Sequence, residues 1–333
     1  MNRKEWQGKL KPFAQADHKK VASQMMNTLL PYILMLGGIF YLSSIGVGFL
    51  WLLLPSIIAG GLMVRLFIFF HDCTHGSFTS SKKWNERLGN LFAFFVFTPF
   101  IQWKVEHSIH HSSVGNLDER GIGDIWTMTI TEFEASSKAK QFWYRLFRHP
   151  AFLFTIAPVF KFIVLQRFPK THTGRKEKLN YWKLNIALAI YASLMIMLFG
   201  WQTFVLYQTL IVAIASSAGL WLFYVQHQFE EVYWEDEGEW DLIEAALKGS
   251  TYYQLPNILE WFTGYIGYHH IHHLSARIPN YHLKACYQAI PELQKGITVS
   301  LKESLHLAFL TLYDKGSQRL ISYREYKRLK TAL

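Results

Sequence analysis

The chain has 333 residues, of which 50 % are apolar, 17 % aromatic and only 17 % charged, against a usual charged share of roughly 25 %. Its 34 Lys and Arg outnumber its 24 Asp and Glu for a net charge of +10, and it has two cysteines, Cys73 and Cys286. That count excludes a disulfide framework and a protein-borne iron–sulfur cluster; the balance predicts a membrane stem sharing the chain with a polar cap, and no nucleic-acid partner.

The first 20 residues, MNRKEWQGKLKPFAQADHKK, are polar and lack the short apolar core of a cleavable signal peptide. From residue 27 to 70 the sequence is apolar with one break, SSIGVG at 43–48. A span needs about 20 residues to cross roughly 30 Å of hydrocarbon, so two spans are expected, 27–47 and 49–70. Arg65 falls in the last turn of the second, where it would snorkel to the membrane surface. Residues 91–103 and 151–168 are shorter apolar stretches, the latter carrying Lys161, and read as interfacial or half-inserted helices. The segment 168–180, FPKTHTGRKEKLN, is the most loop-like of the chain. A second hairpin follows, with spans 183–200 and 203–226 about the turn GWQT.

The turns at 43–48 and 200–203 hold no charge, whereas Lys and Arg crowd the N-terminal segment, the stretch from Lys82 to Lys183 and the tail after Lys284. By the positive-inside rule both termini and the central segment are cytoplasmic. The expected fold is an all-α integral membrane protein of one domain, 1–333: four transmembrane helices in two hairpins, with a cytoplasmic helical cap formed by 71–182 and 227–333.

Fifteen histidines occur, and three groups have helical spacing: His71 and His75 in HDCTH, His107, His110 and His111 in HSIHH, and His269, His272 and His273 in HHIHH. Residues at i, i+3 and i+4 share a helix face, so each box aims two or three imidazoles at one point. His227, in YVQHQFEE, stands alone where the fourth span ends. The topology puts all nine on one side of the membrane, just beyond it. His18, His149, His172, His270, His282 and His306 read as ordinary surface or core histidines.

Imidazole suits zinc, copper, iron and nickel, and one tetrahedral zinc takes four ligands; nine ligands imply two metals. A carboxylate di-iron site would need paired Glu-x-x-His motifs with additional glutamates, and the one match, ESLH at Glu303 to His306, has no partner. A histidine-dominated pair of irons fits better. Acidic or amide residues close to the boxes, Asp72, Asp118, Asp124, Glu230, Glu231 and Asn280, are candidates for holding the ligand rings in place.

HDCTHGSF, HSIHHSSVGNLDERGIGDIW, FYVQHQFEE and GYHHIHHLSARIPNY resemble the three histidine boxes and intervening motifs of the membrane fatty acid desaturase family, and within it the Bacillus-type acyl-lipid delta-5 desaturases, from about residue 20 to about 305. The resemblance implies an enzyme of the bacterial plasma membrane that uses two Fe ions, dioxygen as co-substrate and electrons from an external donor to insert a cis double bond into a phospholipid acyl chain. It puts the eight box histidines in the metal-ligand role, with His227 as the ninth. Stearoyl-CoA-type members have HxxxxH as first box and an Asn four residues before the isolated histidine; this chain has HxxxH and Phe223. Front-end members have Gln in place of His269 and a fused cytochrome b5 domain with HPGG; this chain has only HPA at His149. The implied electron donor is a separate ferredoxin or flavodoxin, both acidic, which the positive charge would attract; the same charges would also touch anionic membrane lipids. A hydroxylase or ketolase of the same superfamily would share the boxes. A metal transporter would instead place ligands at mid-membrane, and a membrane haem protein would use histidine pairs on facing helices.

Overall fold

The computed structural model describes residues 1–170 and 173–331. Among the described residues, four helices are long and apolar enough to cross a membrane: His18–Ser44, Phe49–His75, Arg175–Phe199 and Trp201–His227. They follow the expected hairpins, but three extend well past the expected bounds, because polar residues prolong the helices beyond the apolar stretch. Span one begins at His18, where the Asp17 side chain accepts from the Lys19 and Lys20 amides and so caps the helix. It carries a π turn over Met25–Leu29, just before Pro31, whose missing N–H breaks the regular ladder. Half of the loop-like segment 168–180 is likewise helix, since span three starts at Arg175; His172 lies outside the described residues.

Span two is the central helix, with most of its length buried against spans one and four. Gly60 sets how closely it meets span four: a Cβ there would lie 2.5 Å from the Ile214 side chain, so only glycine permits this approach. Arg65 does not snorkel. It is buried at 2 % exposure, donates to Thr28 Oγ1 and the Trp261 carbonyl, and lies 4.3 Å over the Trp261 ring. The helix continues to His75, and the short helix Asn257–Phe262 packs beside its middle, so Arg65 binds that segment rather than water.

The two shorter apolar stretches lie in bent helix pairs, Lys82–Phe95 with Phe100–Ser113 at 103° and Lys138–Phe147 with Phe152–Arg167 at 61°. The first corner is sharp because Phe97 takes a positive φ of 55° just before Pro99, and because Gly89 leaves room for the Phe100 ring, which a Cβ would approach to 2.1 Å.

The fold is mostly helical but departs from the all-α expectation. Leu310–Asp314 and Arg319–Ser322 form an antiparallel hairpin, with Met128–Thr129 added in parallel; Tyr252–Gln254 pairs in parallel with Thr298–Ser300. The alternating pattern LTLYD, then KGSQ, then RLIS is a hairpin signal, overshadowed in the sequence by the helical periodicity elsewhere. At the centre of this polar half sits Arg148, 1 % exposed, whose guanidinium joins Thr127 Oγ1, Tyr224 OH, Gln228 Oε1 and the Leu310 carbonyl at 2.6–3.0 Å.

Candidate metal centre

Each group of candidate ligands lies at or near the end of a helix. His71 and His75 occupy the last turn of span two, which stops at Gly76 with φ 70°, the left-handed cap that favours glycine. His107, His110 and His111 lie in the C-terminal half of Phe100–Ser113, and His227 is the last residue of span four. His269, His272 and His273 belong to a single short helix, His269–Leu274, held by the His269 amide on the Thr251 carbonyl.

These elements bring all nine imidazoles together in two adjacent clusters, in each of which the candidate ligand atoms lie within 4.8 Å of one another. His71, His75, His107, His111 and His272 form one; His110, His227, His269 and His273 form the other. In the first, His111 Nε2 stands 3.1 Å from His107 Nε2 and 3.0 Å from His272 Nε2. In the second, His227 Nε2 is 2.9 Å from His269 Nε2 and 3.2 Å from His110 Nε2. A neutral imidazole has one N–H, so a ring of Nε2 atoms facing one another cannot satisfy itself by hydrogen bonding. His75 Nε2 is buried with no partner at all. Two ligands at right angles and about 2.1 Å from a metal have nitrogens about 3.0 Å apart, which matches these spacings. The donor set suits first-row transition metals, and five imidazoles in one cluster exceed what tetrahedral zinc takes.

Outer hydrogen bonds fix which nitrogen faces the centre. His110 Nδ1 donates to Asp124 Oδ1 at 2.6 Å, and His227 Nδ1 to the Gly249 carbonyl at 3.1 Å, leaving the Nε2 lone pairs pointing inward. Asp72 Oδ1 lies 3.2 Å from His71 Nδ1, while its Oδ2 accepts from the Asn280 amide and side chain, and Asn280 in turn holds Gln24. This chain of polar contacts ties span one, span two and the helix Asn280–Ala289 that follows the third box. Asp118, Glu230 and Glu231 do not reach the rings. Asp118 accepts from the Glu237 amide, Glu230 meets the exposed His306, and Glu231 faces solvent; nearness in sequence to a box did not survive the turn of the chain after it. Replacing Asp124 with Asn keeps the shape but weakens the acceptor, and is expected to lower metal affinity about 10- to 100-fold. Competition with a chelator measures this, and unchanged affinity would show that Asp124 merely shapes the loop.

Burial first, and the neighbouring imidazoles second, hold His107, His111, His269, His272 and His273 well below the usual imidazole value. They are therefore neutral near pH 7 and their lone pairs are available. In the unfolded chain the same rings take up protons below about pH 6.5. The metal-free protein should thus lose stability as pH falls below that value, with no comparable loss between pH 7 and 8. Thermal melting of metal-free protein across pH 5 to 8 tests the sign.

The other histidines stay outside the clusters. His270 is fully buried with Nε2 on the Leu293 carbonyl, His282 bonds the Phe13 carbonyl, His18 meets Ser80, and His149 is exposed. One contributor went unread in the sequence. Trp103 stacks on His107 at 4.2 Å and 22°, and its ring also meets Phe67 and Phe70, walling the first cluster with aromatic carbon. Its position four residues before His107, on the same helix face, was the available signal.

A helical membrane stem ending in paired histidine clusters that could hold metal defines a class of membrane protein, and the chain belongs to the fatty acid desaturase family: the model of that family, "Fatty acid desaturase", matches residues 12–301. A protein of Bacillus subtilis (strain 168), "Fatty acid desaturase", is 40 % identical over 323 residues, covering 96 % of this chain and 91 % of its own. The "sn-1 oleoyl-lipid 12-desaturase" of Anabaena variabilis is 28 % identical, with 73 % and 70 % covered, and the "sn-1 acyl-lipid omega-3 desaturase (ferredoxin)" of Synechocystis sp. (strain ATCC 27184 / PCC 6803 / Kazusa) is 26 % identical, with 72 % and 68 % covered. This chain is a desaturase enzyme.

Proposed function

We propose that the protein inserts one cis double bond into saturated acyl chains esterified in membrane phospholipids, at carbon 5, using dioxygen at a pair of irons. The observation that carries this reading is the pair of all-histidine clusters at the ends of spans two and four. His71, His75, His107, His111 and His272 would hold one ion, and His110, His227, His269 and His273 the other. Two such ions, when bound, supply the means to activate dioxygen against an unactivated methylene pair. The protein's own part is to present neutral imidazoles, fix their tautomers through Asp124, Asp72 and the Gly249 carbonyl, and keep water away with Trp103, Phe67 and Phe70.

The lipid substrate is supported by relatives named for lipid-linked acyl chains, and by ligands placed where a chain leaving the bilayer can reach them. Carbon 5 rests on resemblance to the Bacillus-type enzymes. Electrons come from a separate ferredoxin or flavodoxin, the former named for the Synechocystis relative. In this reading the clusters and both termini face the cytoplasm of a bacterial plasma membrane, and 71–182 and 227–333 form the cap. Cysteines placed at Gly46 and Gln202, with Cys73 and Cys286 replaced, should react with an impermeant thiol reagent from outside cells, and one at Lys83 should not.

The reaction is tested by expressing the chain, and its His71→Ala variant, in a host lacking unsaturated C16 and C18 chains, with a ferredoxin or flavodoxin supplied. Mass spectrometry of derivatised fatty acids then locates the double bonds. A delta-5 bond in phospholipid acyl groups of the wild type alone is the expected result. Hydroxylated chains, or identical profiles from both, would overturn desaturation; a bond at another carbon would correct the position only.

A further inference from the structure

Beside the third box lies a cavity of about 450 Å³ that the reaction scheme leaves without a role. Its walls come from segments outside the four long helices: the N-terminal helix Arg3–Leu10 with the residues after it, residues 242–243, and residues 273–277. Arg3, Lys11 and Arg277 are exposed lining residues, and none makes an ion pair among the described residues. Trp6 and Leu10, both buried, anchor the N-terminal helix that forms one side.

At the buried end of the cavity is His273, 8 % exposed. Its Nε2 is 3.1 Å from His269 Nε2 in its own cluster, and its ring stacks on His111 of the other cluster at 4.2 Å and 19°. A single side chain thus touches both clusters and also borders the cationic cavity.

The geometry points to this cavity as the electron port: an acidic one-electron carrier protein docks over Arg3, Lys11 and Arg277, and both electrons of a turnover enter through His273. The inference rests on the proposed desaturation and its external donor. For each double bond, –CH2–CH2– and O2, with two electrons and two protons, give –CH=CH– and two waters; a one-electron carrier must therefore visit twice. A port in contact with both clusters serves both visits without a second docking site. Three unpaired cations around the opening favour an anionic protein and speed its encounter at low salt.

The test measures binding of an acidic [2Fe–2S] ferredoxin, and separately of a flavodoxin, to the purified full-length protein. One variant carries Arg3→Glu, Lys11→Glu and Arg277→Glu; a control of equal charge carries Lys140→Glu, Lys302→Glu and Arg328→Glu, which do not line the cavity. The cavity variant should bind the donor at least tenfold more weakly at low ionic strength, with a flattened salt dependence and wild-type metal content, while the control binds like wild type. Equal weakening in both variants, or in neither, overturns the port and leaves desaturation standing. If neither donor binds the wild type, the donor reading falls and the port with it. Loss of palmitoyl-coenzyme A binding in the cavity variant, with donor binding intact, would make the cavity a substrate site and overturn the inference.

Discussion

Changing His269 to Ala should leave a protein that holds about one metal ion fewer than wild type and has no measurable desaturation. His269 is 3 % exposed, and its Nε2 stands 2.9 Å from that of His227 and 3.1 Å from that of His273. Alanine removes one donor of a candidate four-membered set, and a water entering the space is a weaker donor to a transition metal than imidazole. Alteration of residues that only support ligands costs about 10- to 100-fold, so loss of a ligand itself should exceed that range. The informative contrast is the next residue. His270 is equally buried but turns its Nε2 to the Leu293 carbonyl, so His270→Ala should lower thermal stability and keep both ions. Elemental analysis of the two variants side by side decides the matter. Equal metal loss from both would mean that packing of the short helix, and not ligation by His269, holds the metal.

The second large effect is expected at a residue that touches no candidate ligand. Arg148→Met should reduce stability by about 3 kcal/mol, seen as a melting temperature lower by roughly 5 °C or more in detergent. The guanidinium satisfies Thr127, Tyr224, Gln228 and the Leu310 carbonyl at once, and no carboxylate is among those partners. Methionine fills similar volume but removes all four bonds, leaving Gln228 Oε1 with Thr127 Oγ1 and the Leu310 carbonyl with Tyr224 OH as their remaining donors. Arg148→Lys keeps the charge yet cannot span four acceptors with one ammonium, so it should fall between. Gln228 directly follows His227, so the second cluster should also loosen and metal affinity fall. A melting temperature equal to wild type would show that the surrounding strands hold this corner without Arg148.

Much of this architecture is written in local periodicity. The hairpins follow from two uncharged turns in long apolar runs, and the eight box histidines of the two clusters from i, i+3 and i+4 spacing, since a helix face is a local property. What depends on distant chain was not legible. Arg65 looked like an interfacial cation because its sequence neighbours are apolar, yet its partner is Trp261, 196 residues away. Glu230 and Glu231 sit three and four residues from His227, but the helix ends there and carries them outward. Asp124, which does reach His110, could not be separated from Asp118 in the same glycine-rich loop. The strand hairpin was missed for a different reason: a few alternating residues in a chain dominated by helical spacing carry little weight until a surface appears for them to cover.

The pairing of His111 with His272, 161 positions further along the chain, also dictates the order of biogenesis. At about 5–20 residues per second, roughly ten to thirty seconds separate their emergence from the ribosome, and by then all four spans have left it. Neither cluster has its full set of candidate ligands until the third box has emerged. Both sets are completed only after the four spans have emerged, so a fragment ending before the third box, which keeps four imidazoles of the first cluster and two of the second, should insert but hold less metal than the whole chain.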